Sequence, residues 1–226
     1  MTMAVPAPLA LFLLGIPTAF AVERLIQGLT STEDRPIEEI GRERLPWQRE
    51  PWESRLRFGL ALPLPFLLAV AALRFELGEA LAVALLIAAL LVCTATDLLR
   101  YRVPNAVTYP GVGLALFAAV LLPEGRVEDA SLGALFSGGT FLTIWALTRG
   151  GFGLADVKVA VLIGAALGLS AASTALALGV IVGGIAMLIL LLAGRVSRRQ
   201  VTPYAPFLAL SAMVVVFVDG TAFAPH

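Results

Sequence analysis

The stretch ALAVALLIAALLVCTATDLLRYRVPN, residues 80–105, decides the fold because residues 80–96 carry no charge at all. A transmembrane helix needs about 17–25 consecutive, mostly apolar residues, and this run is long enough. The run ends at Asp97, two arginines follow, and Pro104 prevents the helix from continuing. The stretch therefore predicts a helix that crosses a membrane and ends with its charged residues at the membrane surface.

The rest of the chain repeats this pattern. Of its 226 residues, 59% are hydrophobic and 14% are charged, whereas a soluble domain has about 45–50% apolar and about 25% charged residues. Further apolar runs occupy residues 3–22, 58–74, 106–122, 131–148, 157–169, 172–193 and 203–219. The sequence thus predicts an all-α fold, a polytopic membrane helix bundle with about eight transmembrane helices.

Charge divides the chain into two parts and orients it. Residues 1–57 combine an apolar run with a segment dense in both charge signs, and residues 58–226 form the main helix bundle. If the charged segment is cytoplasmic, all 16 basic residues except Arg74 and Arg126 lie on the cytoplasmic side. Basic residues favour that side of a membrane. We therefore expect a multi-pass protein of the cytoplasmic (inner) membrane, with Asp97 at the cytoplasmic face.

Composition also restricts the chemistry. The formal net charge is zero, which gives no electrostatic case for binding nucleic acid. The chain has one cysteine, Cys93, and one histidine, His226, its last residue. An intramolecular disulfide, a CxxC metal site and a histidine-based triad are therefore not expected. We expect no metal and no cofactor, so any catalysis falls to carboxylates and other polar groups.

Two aspartates stand out because both lie at the edge of an apolar run on the same side of the membrane. Each has a structural interpretation: Asp97 ends a helix and Arg100 can neutralise it, while Asp156 follows several glycines and can cap the next helix. A carboxylate at the edge of a span is also a functional candidate. As a pair, they fit an aspartic protease dyad, in which two carboxylates share one proton.

Three motifs resemble those of the prepilin peptidases, also called type IV leader peptidases. DLLRYRVPNAVTYPG, residues 97–111, resembles the first aspartate motif, in which a hydrophobic-Pro-Asn step follows the aspartate. GFGLADVK, residues 151–158, resembles the GxGD motif, and TPYAPFLALSA, residues 202–212, is similar to the Pro-x-x-Pro-Phe-Leu-Ala segment of the last helix. The motifs come in the family's order, and the resemblance covers about residues 55–220.

The resemblance implies that Asp97 and Asp156 are the catalytic pair. Six further residues would shape the site, namely Gly153, Ala155, Lys158, Pro104, Asn105 and Pro206. Pro104 and Asn105 would shape the exit from the first motif's helix, with Asn105 able to cap the next helix, and Pro206 would break or start the last helix.

The activity that the resemblance implies is the removal of short, basic leader peptides from prepilins or pseudopilins. The cut would lie at the cytoplasmic face, just before the hydrophobic N-terminal helix of the substrate. Besides these substrates, the expected partner is membrane lipid, with no nucleic acid.

The chain departs from the family's pattern at two places. Ala155 occupies the position of the second glycine of GxGD. If this position requires a left-handed conformation, alanine costs roughly 1 kcal/mol there. If the position requires only a small side chain, alanine is tolerated. We expect tolerance. In addition, many bacterial members carry two CxxC pairs in a zinc element linked to N-methylation. Residues 23–57 contain no cysteine, which argues against N-methyltransferase activity.

Two other functions remain open. A catalytically impaired family member could act as a scaffold for pilus assembly. A small proton or cation carrier could use the two carboxylates, because broken helices and glycine-rich turns also occur in transporters.

Overall fold

Helices account for almost all of the backbone in the described residues. The computed structural model describes residues 7–31, 52–123, 125–148, 153–195, 203–221 and 223. The elements in these ranges are α1 (Ala7–Ser31), α2 (Trp52–Ala61), α3 (Leu64–Arg74), α4 (Leu77–Arg100), α5 (Asn105–Leu121), α6 (Val127–Thr148), α7 (Leu154–Leu192) and α8 (Ala205–Asp219). Within these ranges, five stretches are long and apolar enough to cross a membrane, and α5 and α8 are shorter apolar helices. The predicted all-α, polytopic membrane bundle is confirmed.

The helices at the start of the chain extend into the segment expected to be charged and aqueous. The helix α1 continues to Ser31, beyond the apolar run that ends at residue 22. Two polar residues in this extension, Glu23 and Thr30, are buried, and the Thr30 hydroxyl donates to the carbonyl of Ile26 at 2.8 Å. The charged extension is therefore part of the helix packing on this side of the bundle.

One long element, α7, contains two of the predicted spans. Its backbone is helical except at Gly168, where φ is 78° and ψ is −179°, a combination that is essentially restricted to glycine. The N–H of Leu169 then donates to the Asp129 carboxylate at 2.9 Å, so an aspartate from α6 caps the second limb of α7. Gly168 is thus the boundary between the predicted spans 157–169 and 172–193.

Close contacts show that the second limb returns to the end where the first began. The first limb packs along α6, where the Gly164 backbone meets that of Gly133. The second limb packs along α8, where the Tyr204 ring covers Gly183. Glycines let helix backbones approach this closely. About 12 residues separate Gly168 from Asp156 and from Val180, and 12 helical residues span about 18 Å.

The helix α4 is the centre of the bundle, since α1, α3, α5 and α8 all pack against it. Buried side chains occur along its whole length, from Ala80 near its start to Leu99 near its end. This burial fixes the position of the last turn of α4. That turn carries Asp97, so the packing of four helices determines where this carboxylate lies.

Candidate active site

Asp97 lies in the last full turn of α4 and is only 4% exposed. Its Oδ2 accepts the backbone N–H of Ala205, the first residue of α8, at 3.1 Å. The first N–H groups of a helix have no partner within that helix, and they carry the positive end of its dipole. Asp97 therefore caps a helix that begins more than 100 residues later in the chain, which fixes one carboxylate oxygen.

The end of α4 has a tight exit. Tyr101 adopts a left-handed conformation (φ 55°, ψ 34°), and its N–H donates to the Asp97 carbonyl at 2.8 Å. Such a conformation costs a non-glycine residue roughly 1 kcal/mol, and the burial of the Tyr101 side chain offsets this cost. Pro104 then takes an extended conformation as the N-cap of α5. The chain thus turns away from Asp97 within four residues.

Asp156 lies in the first turn of α7 and is 6% exposed. Its Oδ2 accepts the N–H of Gly153 at 3.1 Å, and its own N–H donates to the Gly153 carbonyl at 3.1 Å. The structure therefore supports the capping role that the sequence suggested for this aspartate. Capping orients the carboxylate and is compatible with chemistry at its other oxygen. Gly150 and Gly151 lie outside the described residues.

The start of α8 connects the two aspartates. Ala205 binds Asp97, and burial together with the negative charge of Asp156 raises the pKa of the phenol of the preceding residue, Tyr204. The Tyr204 hydroxyl donates to the Val180 carbonyl at 2.7 Å, which fixes the ring against the second limb of α7. Pro206 lies in the first turn of α8. Two aspartates separated by 59 positions in sequence therefore lie at the same end of the bundle as the start of α8.

Sequence reasoning selected Pro206 from this segment and missed Tyr204 and Ala205. The motif TPYAPF contains both residues, so a signal was present. The Ala205 contact uses a backbone N–H, which side-chain identity does not reveal. The Tyr204 contact depends on how α7 folds back at Gly168.

The two motifs also meet through Lys158 and Asn105. The Lys158 ammonium donates to the Asn105 side-chain oxygen at 2.6 Å. The expectation that Asn105 caps α5 is wrong, because Pro104 is the N-cap and Asn105 is the first helical residue. Its side chain is available to Lys158 for that reason. This contact links the start of α5 to the start of α7.

Ala155, the residue in place of the family's glycine, has an ordinary backbone. It lies in the first turn of α7, and Tyr101 is the non-glycine residue with positive φ in the described part of the chain. The position therefore does not use a left-handed conformation here. An alanine therefore fits here without the strain of a left-handed backbone.

A polar cavity of about 710 Å³ borders the site. It lies between α1, the end of α4 and the starts of α5 and α7. Thr96 and Ala155, which directly precede the two aspartates in sequence, belong to its wall. The cavity provides space for water and a polar chain segment beside the buried carboxylates.

A buried ion cluster supports the end of α4 from the other side. The Arg100 guanidinium binds Glu53 at 2.9 Å, and Arg57 lies 3.3 Å from Glu53 and 3.8 Å from Glu23. Arg100 also donates to the carbonyl of Thr30 at 3.3 Å. Arg100 is therefore held by α1 and α2 rather than serving as the neutralising partner of Asp97. The cluster joins the N-terminal helices to the helix that carries the first aspartate.

Other site chemistry is sparse in the described ranges. They contain no group of three or more His, Cys, Asp and Glu side chains placed to hold a metal ion. Cys93 is buried one turn before Asp97. The chemistry that the described residues offer at this end of the bundle is that of two carboxylates and their hydrogen-bonding neighbours.

Comparison with known proteins agrees with the motifs. Residues 84–218 match the model of the type IV leader peptidase family. The chain is also 31% identical over 150 residues to the prepilin leader peptidase/N-methyltransferase of Bacillus subtilis (strain 168), a match that covers 66% of this chain and 60% of that protein. The chain thus spans less than two thirds of that relative's length. No solved structure matches.

Proposed function

The chain belongs to the type IV leader peptidase family, and on this premise we propose that it is a membrane aspartic endopeptidase. Its substrates are prepilins or pseudopilins that carry a short leader before a hydrophobic N-terminal helix. The cut is made at the cytoplasmic face of the inner membrane. One observation carries the proposal: Asp97 and Asp156 are both buried at the same end of the bundle, where Asp97 binds the N–H of Ala205 and the charge of Asp156 acts on the neighbouring Tyr204 phenol.

The two carboxylates hydrolyse the peptide bond as a pair. One ionised carboxylate takes a proton from water, and the water oxygen forms a bond to the peptide carbonyl carbon. The neutral carboxylic acid protonates the carbonyl oxygen. Collapse of this intermediate breaks the C–N bond, and a proton passes to the leaving amine. The roles of acid and base belong to the pair and are not assigned to either residue.

The neighbouring residues position the pair. A backbone N–H at a helix start binds one oxygen of each aspartate, from Ala205 for Asp97 and from Gly153 for Asp156. The Lys158–Asn105 hydrogen bond holds the starts of α5 and α7 together, which keeps the two motifs in register.

The helical backbone of Ala155 supports an active enzyme over an impaired one. The scaffold function was an alternative because Ala155 departs from the GxGD motif. Ala155 causes no backbone strain here. A carrier is less favoured because both aspartates lie at the edges of apolar runs, whereas transporter sites lie near the bilayer midplane. N-methylation is not part of the proposal, since residues 23–57 contain no cysteine.

Co-expression with a candidate prepilin from the same genome tests the proposal. Asp97→Asn and Asp156→Asn each keep an oxygen that accepts the capping N–H but remove the titrating group. General acid–base catalysis contributes about 10²–10⁴-fold, so each variant should lower processing at least about 100-fold. Asp219→Asn, at the other end of α8, is the matched control and should process like wild type.

The outcomes separate the candidate functions. Full processing by either Asp97→Asn or Asp156→Asn would refute the dyad. A wild-type protein that binds prepilin without cutting it would favour the scaffold. Proton or cation flux through the purified, reconstituted wild type, without cleavage, would favour the carrier.

A further inference from the structure

An apolar groove of about 450 Å³ runs along the surface of α4, between α1 and α5. Both of these helices pack on α4. Gly78 and Leu122 line the groove at one end, and Leu25 and Ala106 line it at the other. Apolar side chains and glycines make up the whole lining, which includes the exposed ring of Phe117. The groove therefore suits a hydrocarbon chain from the membrane.

The groove opens into the polar cavity beside the candidate active site. Leu25 and Ala106 line both spaces, so the apolar groove and the polar cavity share a boundary at the end of the bundle that carries the aspartates. A ligand with an apolar tail and a polar head would occupy both parts. Such a ligand would fill the space that separates α1 from α5.

The polar cavity is strongly basic. Its walls contain Arg24, Arg100, Arg102 and Lys158 and no carboxylate. Of these cations, Arg100 binds Glu53, and Lys158 binds the neutral amide of Asn105. Arg24 lies over the ring of Phe20, 5.1 Å from its centre, a contact that leaves its positive charge in place. The cavity therefore attracts an anionic group.

We propose that the groove and the cavity together bind an anionic phospholipid. Its phosphate lies among Arg24, Arg102 and Lys158, and one acyl chain lies along α4 between α1 and α5. The basic side chains in the cavity wall favour a ligand with an anionic head. The bound lipid joins α1 to the helices that carry the first motif, a role that goes beyond peptide cleavage.

Lipid retention by the full-length purified protein tests this site without any need for activity. The protein in detergent is incubated with phosphatidylglycerol or with phosphatidylcholine that has the same acyl chains. Native mass spectrometry then counts the lipid molecules retained as the lipid concentration is varied. Wild type should bind phosphatidylglycerol at least about tenfold more tightly, since each cation near an anionic lipid is worth about fivefold in binding.

The headgroup arm uses Arg24→Gln combined with Arg102→Gln. Both side chains are exposed, so the variant should fold, and its thermal unfolding verifies this. Loss of two cations should weaken phosphatidylglycerol binding roughly 10- to 30-fold. Arg55→Gln combined with Arg195→Gln is the matched control, because it removes two exposed cations outside the cavity. The control should change binding less than about twofold.

The groove arm uses Ala118→Phe, which puts a ring into the groove, with Val120→Phe as a control on the neighbouring surface. Only Ala118→Phe should lower lipid retention. If inorganic phosphate binds equally well and Ala118→Phe has no effect, the ligand is a free anion and the lipid assignment is wrong. Equal retention of both lipids would also overturn the lipid assignment. So would displacement of phosphatidylglycerol by a substrate helix, if it occurs equally in wild type and in the variant that lacks the Arg24 and Arg102 cations.

Discussion

The two ends of the bundle use the same hydrogen bond for different purposes. At one end, Asp97 and Asp156 each accept a backbone N–H at the start of a helix. At the other, Asp129 accepts the N–H of Leu169 in the same way. The surroundings differ: the Asp129 side chain is 28% exposed and lies 3.6 Å from Arg126, whereas Asp97 and Asp156 are at most 6% exposed.

This difference shows that capping geometry alone does not separate a structural aspartate from a candidate catalytic one. Asp129 stabilises the turn at Gly168, and a nearby arginine balances its charge. Asp97 and Asp156 come from two motifs, lie at the same end of the bundle, and are each preceded in sequence by a residue that lines a cavity of about 710 Å³. Burial, convergence and access to a cavity are what make this end the candidate site. Four substitutions test the contrast, in order of decreasing effect.

Gly168→Ala should give the largest loss of stability. The new Cβ would overlap with the Asp129 carboxylate, and φ is +78° at this residue. Strained backbone of this kind costs about 1–3 kcal/mol, and the overlap adds to it, so the free energy of unfolding should fall by about 3 kcal/mol. Unfolding by dodecyl sulfate in mixed micelles measures it. The remaining folded protein should still process substrate.

Gly184→Ala is the matched control for this substitution. It lies in the same helix, and a Cβ there meets nothing within 4 Å. Replacing a glycine inside a helix should stabilise by roughly 0.5–1 kcal/mol. If both variants lose stability equally, Gly168 is not the special turn described above.

Glu53→Gln should have the next largest effect, because it removes the anion that Arg100 and Arg57 share. Breaking a fully buried ion pair costs about 3–5 kcal/mol, and partial exposure of the arginines reduces this to about 1–2 kcal/mol. Processing should also decrease, since Arg100 lies one turn after Asp97. Circular dichroism melts and a processing assay measure the two effects.

Glu79→Gln is the control for the ion cluster. Glu79 lies at the opposite end of α4, and its carboxylate accepts the N–H of Glu76 at 3.3 Å. Glutamine keeps an acceptor there, so stability should change by less than about 0.5 kcal/mol. An equal effect of both substitutions would indicate that the cluster is not a specific support for the Asp97 end.

Asp129→Asn compares the two ends of the bundle directly. Asparagine keeps the hydrogen bond to Leu169 but loses the charge that faces Arg126. Exposed ion pairs are worth about 0.2–1 kcal/mol, so stability should fall by less than about 1 kcal/mol. Processing should stay within about twofold of wild type, against a loss of at least about 100-fold for Asp97→Asn. A comparable loss in both variants would contradict the division of roles.

Ala155→Gly should have the smallest effect. Because Ala155 has a helical backbone, the glycine typical of the family offers no conformational gain here. Glycine costs about 0.5–1 kcal/mol in a helix interior and less in a first turn, so processing and stability should both change little. Initial rates of prepilin cleavage measure the effect. A rise above fivefold would show that the site needs the freedom of glycine.

The sequence alone predicted a large part of this protein. The uncharged runs predicted the helices, because a bilayer core requires long apolar segments with internally bonded backbone. The positions of Asp97 and Asp156 at the edges of such runs identified the candidate pair. The motifs identified the family that comparison then confirmed. These features are local, so residue identity and spacing are sufficient to reveal them.

The contacts within the site could not be predicted in this way. Asn105 was expected to cap α5, and instead its side chain binds Lys158. Arg100 was a candidate partner for Asp97, and its guanidinium instead binds Glu53 in another helix. Each outcome depends on which helix lies opposite the side chain. Helix packing decides this, and the helices that pack together are tens of residues apart in sequence.

The sequence by itself determined that this is a helical membrane protein with two carboxylates at one face, because apolar length and charge position act locally. The tertiary structure alone decided that Asp97 binds the start of α8 and that the charge of Asp156 acts on Tyr204. The physical reason is the fold of α7: Gly168 permits a backbone conformation closed to other residues, and the returning limb holds the Tyr204 hydroxyl through the carbonyl of Val180. A backbone N–H of Ala205 then completes the arrangement at Asp97.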